Sequence, residues 1–196
     1  MKLRYVIALL IIPAMLLAAP KKAKKVDDWH LVQKSANYWS RYYRLPLDVT
    51  YRVLENESGW KADSPKTSYK ACEQIGKAGE LGPMQEKLKT ARAVLEDSTI
   101  TKWQLLHDID LNIHGGCKLL SQEYEYWRDH DKTTLKDGTR DWNHVWMMTT
   151  CSYNMGRKAA VKWDKPNRYA EKAIRKGTVT KTDTVQGKLR KVKKHK

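Results

Sequence analysis

Between Asp28 and Tyr43 the residues Trp29, Val32, Ala36, Trp39 and Tyr43 recur at three- and four-residue steps, the apolar stripe of an amphipathic helix. Arg44-Leu45-Pro46 interrupts it, with Pro46 suited to the first turn of the next helix. From Leu47 onward Val49, Val53 and Glu57 stand at i, i+4 and i+8, with Thr50 and Leu54 alongside, and Gly59 is a common terminator. Lys61 to Leu81 lacks periodicity and reads as a long irregular loop. Past Gly82-Pro83-Met84-Gln85, the positions Leu88, Ala91 and Leu95 predict another helix, and Thr101 to Leu106 is short and ambiguous. Asp108 to Trp127 is the longest helical stretch. Gly115-Gly116 in its interior lowers helix propensity, which close packing against a neighbour would offset. Asp129 to Asp141 reads as a polar loop, Trp142 to Asn154 as a helix ending at Gly156, and Ala159–Trp163 and Asn167–Ile174 as two short helices. No stretch alternates like a sheet protein, so the body is mainly α.

The termini differ from this body. Lys2 and Arg4 precede a fifteen-residue apolar run, Tyr5 to Ala19, closing in Leu17-Ala18-Ala19, the order of a secretory signal and short for a membrane span. Pro20 and the cluster Lys21-Lys22-Ala23-Lys24-Lys25 follow, features that weaken clean cleavage and leave both a cleaved signal and a retained anchor open. Residues 1–19 are therefore read as a signal peptide or N-terminal anchor, 20–27 as a basic linker, 28–176 as the domain, and 177–196 as a disordered basic tail. That tail carries seven Lys or Arg against one Asp from Lys181 to Lys196. These readings place the chain outside the cytoplasm, in the periplasm or cell wall. The net charge of +16 calls for an anionic partner: nucleic acid, anionic lipid or an acidic wall polymer. With Cys72, Cys117 and Cys151 an exported chain can form one disulfide, three pairings being open. No Cys or His spacing fits a metal site, and Asp129-His130-Asp131 reads as a polar turn. Neither metal nor cofactor is expected, and the single domain reads as a monomer.

The candidate chemistry centres on Glu57. A carboxyl at the end of an apolar helix face lies where core meets cleft, and partial burial raises its pKa toward that of a general acid. Glu55 falls on roughly the opposite side of the helix and cannot share that cleft. Glu80 reads as a loop residue. Asn56-Glu57-Ser58 also fits a glycosylation acceptor, here a coincidence on a helix turn.

Four segments then stand in order: Glu57-Ser58-Gly59-Trp60; Gly79-Glu80-Leu81-Gly82-Pro83-Met84-Gln85 with Thr90-Ala91; Asn112-Ile113-His114-Gly115-Gly116; and Ser152-Tyr153-Asn154-Met155-Gly156. Together they resemble the soluble lytic transglycosylase (SLT) family, a lysozyme-like helical domain acting on bacterial peptidoglycan. Arg168-Tyr169-Ala170 looks like that family's closing Tyr segment. The resemblance implies Glu57 as the single catalytic acid at the MurNAc-GlcNAc bond, then as the base that closes a 1,6-anhydro ring. It implies Met84, Gln85, Tyr153 and Asn154 as cleft residues, with the Tyr153 hydroxyl near Glu57, and Ser64 as a further substrate contact. Met84 also reads as core filling, Tyr153 as a core aromatic and Asn154 as a helix-ending residue. Pro83, Glu86 and Leu88 depart from the family pattern, as does the long Lys66–Lys77 loop with Cys72; these departures bear on substrate preference.

Peptidoglycan strands are thus the implied partner, with the tail held to anionic wall polymer or membrane. Two alternatives remain: a hydrolysing muramidase of goose-lysozyme type, and a catalytically idle basic protein binding wall or nucleic acid. The cleft motifs and the exported N-terminus weigh against nucleic acid.

Overall fold

End chemistry sets most helix boundaries of this chain. The computed structural model describes residues 28–64, 73–130 and 138–174. Among these lie α1 (Asp28–Tyr42), α2 (Leu47–Ser58), α3 (Leu88–Leu95), α4 (Lys102–His107), α5 (Ile109–Arg128), α6 (Trp142–Met155), α7 (Arg157–Trp163) and α8 (Arg168–Ala173). The ambiguous segment near Thr101 is helical because Thr101 and Gln104 form a reciprocal capping box. Asp108, expected as the first residue of the long helix, is its cap instead, accepting from the Leu111 N–H at 3.0 Å. Pro46 likewise precedes α2 rather than opening it. Gly59 stops α2 by turning left-handed at φ 74°, its N–H reaching the Glu55 carbonyl. That stop leaves Glu57 in the last turn of α2, next to solvent.

Helix α5 packs against α1, α3, α4 and α6. The core has no Phe and uses indoles: Trp60, Trp127 and Trp146 are fully buried, with Tyr124 stacked on Trp146. The Trp127 N–H is satisfied by the Ser152 hydroxyl at 2.6 Å. A smaller cluster of Leu81, Ala91, Ile100 and Leu105 sits beneath the loop and α3.

The Gly115-Gly116 pair has the packing role its cost demanded. A Cβ at Gly116 would strike the Met84 side chain, and one at Gly115 would strike the Glu86 carboxyl. One turn earlier Asn112 is buried and fully used. Its Oδ1 accepts from the Met84 N–H at 2.8 Å, and its amide donates to the carbonyls of Leu81 and Leu105. So α5 holds the 81–86 turn by one side chain and two absent ones.

Cys117 and Cys151 are buried free thiols, so the pairing of these two is not formed. Burial raises the Cys117 thiol out of reach of ionisation at neutral pH. Cys72, the signal or anchor, the basic linker and the tail lie outside the described residues. No helix among the described residues is long and apolar enough to cross a membrane.

Candidate active site

The end of α2, the 76–87 loop, the middle of α5 and the α6–α7 junction enclose a cavity of about 460 Å³. Glu57, Glu80, Gln85, Tyr153, Asn154 and Arg157 are among the side chains lining it.

Glu57 is partly buried, and desolvation raises its pKa from the ordinary range to about 7. The Tyr169 hydroxyl donates to Oε1 at 2.7 Å, which favours the charged form and moderates the rise. Tyr169 itself is pushed far above its usual range by burial and by Glu57, so it keeps its proton. With Oε1 engaged, Oε2 is the oxygen left to carry the exchangeable proton. The negative charge of Glu80 adds a further upward push on Glu57.

The loop opposite is pinned by its backbone. Gly76 N–H donates to the Glu80 carbonyl at 2.8 Å and Gly82 N–H to Gln74, while Leu81 and Glu86 exchange bonds of 2.9 and 3.0 Å. Gln85 adopts a left-handed φ of 49°, a costly conformation for a non-glycine residue at this turn. Both of its amide bonds, 2.8 Å to Gly82 and 3.2 Å to Gln74, go to carbonyls of the loop. Gln85 therefore offers the cavity its side-chain oxygen, its donors being occupied.

Glu80 is fixed above this turn. The Ala78 N–H donates to Oε2 at 3.0 Å, and the Lys87 ammonium lies 3.4 Å from Oε1. A hydrogen bond from its own backbone N–H, and after it those from Ala78 and Lys87, hold its carboxyl below the usual range. Glu86 is its opposite: buried against Gly115 with neither carboxyl oxygen hydrogen-bonded, it is pushed well above the usual range by desolvation. Burial therefore favours its protonated form, and although the residue borders the cavity both carboxyl oxygens are shielded from solvent.

The expected site residues separate. Glu57, Gln85, Tyr153 and Asn154 meet at one cavity. Met84 is fully buried in the core against Gly116, the core-filling role. Ser64 lines a separate groove with Asp48, Tyr51 and Asp63, because the chain turns back after Trp60 through a Ser64-to-Lys61 bond. Tyr153 reaches the cavity, yet its hydroxyl donates to the Met84 carbonyl at 2.7 Å; the hydroxyl on Glu57 belongs to Tyr169. Asn154 accepts from the Asn167 amide at 3.3 Å, tying α6 to the start of α8. Glu55 points away and lies near Lys61.

A family model described as the transglycosylase SLT domain matches residues 34–175. The chain belongs to this family. No curated protein and no solved structure matches it. The matched span runs from α1 to just past α8 and contains Glu57 and the cavity around it. At family level an SLT domain means glycan cleavage of the lytic transglycosylase type, with peptidoglycan as the substrate polymer.

Within this SLT domain, the contact of Tyr169 with Glu57 and an ion pair at the cavity edge escaped the sequence. Tyr169 was visible as the closing aromatic, and Asn167 before it caps α8 by accepting from the Ala170 N–H. Nothing local said that this short helix returns 112 residues to Glu57. Arg157 and Glu123 form a bidentate pair at 2.9 and 3.0 Å at the cavity edge, with the guanidinium 4.5 Å over the Tyr126 ring. Neither carried a sequence signal beyond its charge.

Proposed function

We propose that the chain is a peptidoglycan lytic transglycosylase in which Glu57 acts first as acid and then as base. The observation that carries this reading is the state of Glu57: a carboxyl with a pKa of about 7 at the wall of a cavity, oriented by Tyr169. A group poised there gives up a proton and takes one back at similar cost, as a two-step cycle requires.

In the first step Glu57 protonates the glycosidic oxygen between N-acetylmuramic acid and N-acetylglucosamine, and the bond electrons leave with that oxygen. In the second, the resulting carboxylate takes the proton of the muramic 6-hydroxyl as its oxygen bonds to the anomeric carbon. A 1,6-anhydro ring closes and Glu57 is protonated again. Water takes no part. Site residues with supporting roles are Gln85, Tyr153, Asn154 and Tyr169, which shape the cleft; peptidoglycan strands are the partner. The N-terminal segment exports the chain, and the basic tail holds it to anionic wall polymer or membrane.

Digestion of purified peptidoglycan followed by mass spectrometry tests this. Anhydro-muropeptides are the expected products, whereas reducing ends alone would identify a hydrolysing muramidase.

A further inference from the structure

The acid–base cycle of Glu57 leaves Glu80, another carboxylate lining the same cavity, without a role. We propose that Glu80 is a second catalytic carboxylate, a fixed negative charge that faces the positive charge developing on the sugar ring as the glycosidic bond breaks. This rests on the glycan-cleaving reading above and adds to it a residue that the single-acid scheme does not contain.

Three observations place Glu80 there. It lines the same cavity as Glu57. Its orientation is built, with Ala78 N–H on one oxygen and Lys87 on the other, and Gly76 lacks the Cβ that would displace it. Its like charge is also the smallest of the three causes acting on the Glu57 pKa, in keeping with two carboxyls lining one cavity. Glu86 also borders the cavity, but both of its oxygens are buried and its burial favours the uncharged form, so it does not supply a fixed charge.

The environments of Glu57 and Glu80 push the two carboxyls apart, one toward the protonated form and one toward the ionised form, the pattern of an acid with a charged partner. Bonds from Ala78 and Lys87 also make Glu80 a poor proton acceptor, so its role is charge rather than base. Glu80 then forms no covalent bond and moves no proton. Glycosidic cleavage uses the proton of Glu57, ring closure uses the muramic 6-hydroxyl, and Glu80 stays ionised throughout.

The test compares the full chain with Glu80→Gln on purified peptidoglycan, following initial rates against pH. Glutamine still accepts from the Ala78 N–H, so the loop is retained and Tm checks it. The expected loss in kcat is on the order of 10²-fold, with little change in KM. The alkaline limb set by Glu57 moves to lower pH, because a like charge has gone. A purely structural role would leave that limb in place. Lys87→Met supplies a second variant that keeps Glu80: the limb moves to higher pH in it, and this movement disappears when Glu80→Gln is added. Wild-type kcat in Glu80→Gln, or a limb unmoved in both variants, overturns the proposal and leaves Glu57 untouched. Wall cleavage surviving Glu57→Gln would instead overturn the reading beneath it.

Discussion

At the scale of single residues, protonation states separate the roles. Tyr169 donates to Glu57 and so favours the ionised carboxylate. Removing that hydroxyl in Tyr169→Phe raises the Glu57 pKa, and the alkaline limb of the pH–rate profile should move up. Cleavage should also slow by roughly tenfold to a hundredfold as the acid loses its orientation. Stability follows the same carboxyls. Folding raises the pKa of Glu57 and Glu86 above their unfolded values. Both therefore contribute stability that is complete below the ordinary Glu range and is lost as pH rises through the folded values, for Glu57 through about 7. Glu86→Met removes an unpartnered buried acid, and urea unfolding at pH 8 should show a gain of about 1–3 kcal/mol that shrinks at pH 4. Glu57 was legible from helix spacing and its motif, because its burial follows from the face it shares with Val49 and Val53. The contrast between Glu80 and Glu86 was not, since their states depend on a backbone N–H, a lysine and a glycine brought together by folding.

Among the elements, the hydrophobic period was the most readable signal. Seven of the eight helices among the described residues were anticipated in position, most within about a turn; α4 read only as an ambiguous segment, and the other errors fall at caps. There Asp108 and Pro46 stand outside the helices they introduce. The loop between α2 and α3 was least readable. Its 73–86 stretch has two isolated bridges, Ile75 with Leu81 and Leu81 with Glu86, in place of any periodic pattern. Its shape comes from α5, through Asn112 and the glycine pair. Asn112→Ala leaves the Met84 N–H unpaired and takes one hydrogen bond each from the Leu81 and Leu105 carbonyls, and a loss of about 1–3 kcal/mol in chemical denaturation is expected. Gly116→Ala drives a methyl into Met84 and should cost a similar 1–3 kcal/mol by overpacking. Both changes disturb the turn that carries Gln85, so activity should fall with stability.

At the scale of the whole molecule, the chain returns to one helix end from three directions. The loop brings Glu80 and Gln85, α6 brings Tyr153 and Asn154, and α8 brings Tyr169. The ordered motifs made the first two convergences legible; the third depends on how α8 folds back onto α2. Membership of the SLT family makes peptidoglycan the substrate polymer, and the proposal adds how the bond is broken. Mass spectrometry of muropeptides released by the wild-type chain, with Glu57→Gln as control, tests that proposal most directly. Glycan fragments ending in 1,6-anhydromuramic acid, absent from the Glu57→Gln digest, are the predicted result. Fragments ending only in reducing sugars, or anhydro products persisting without the Glu57 carboxyl, would contradict it.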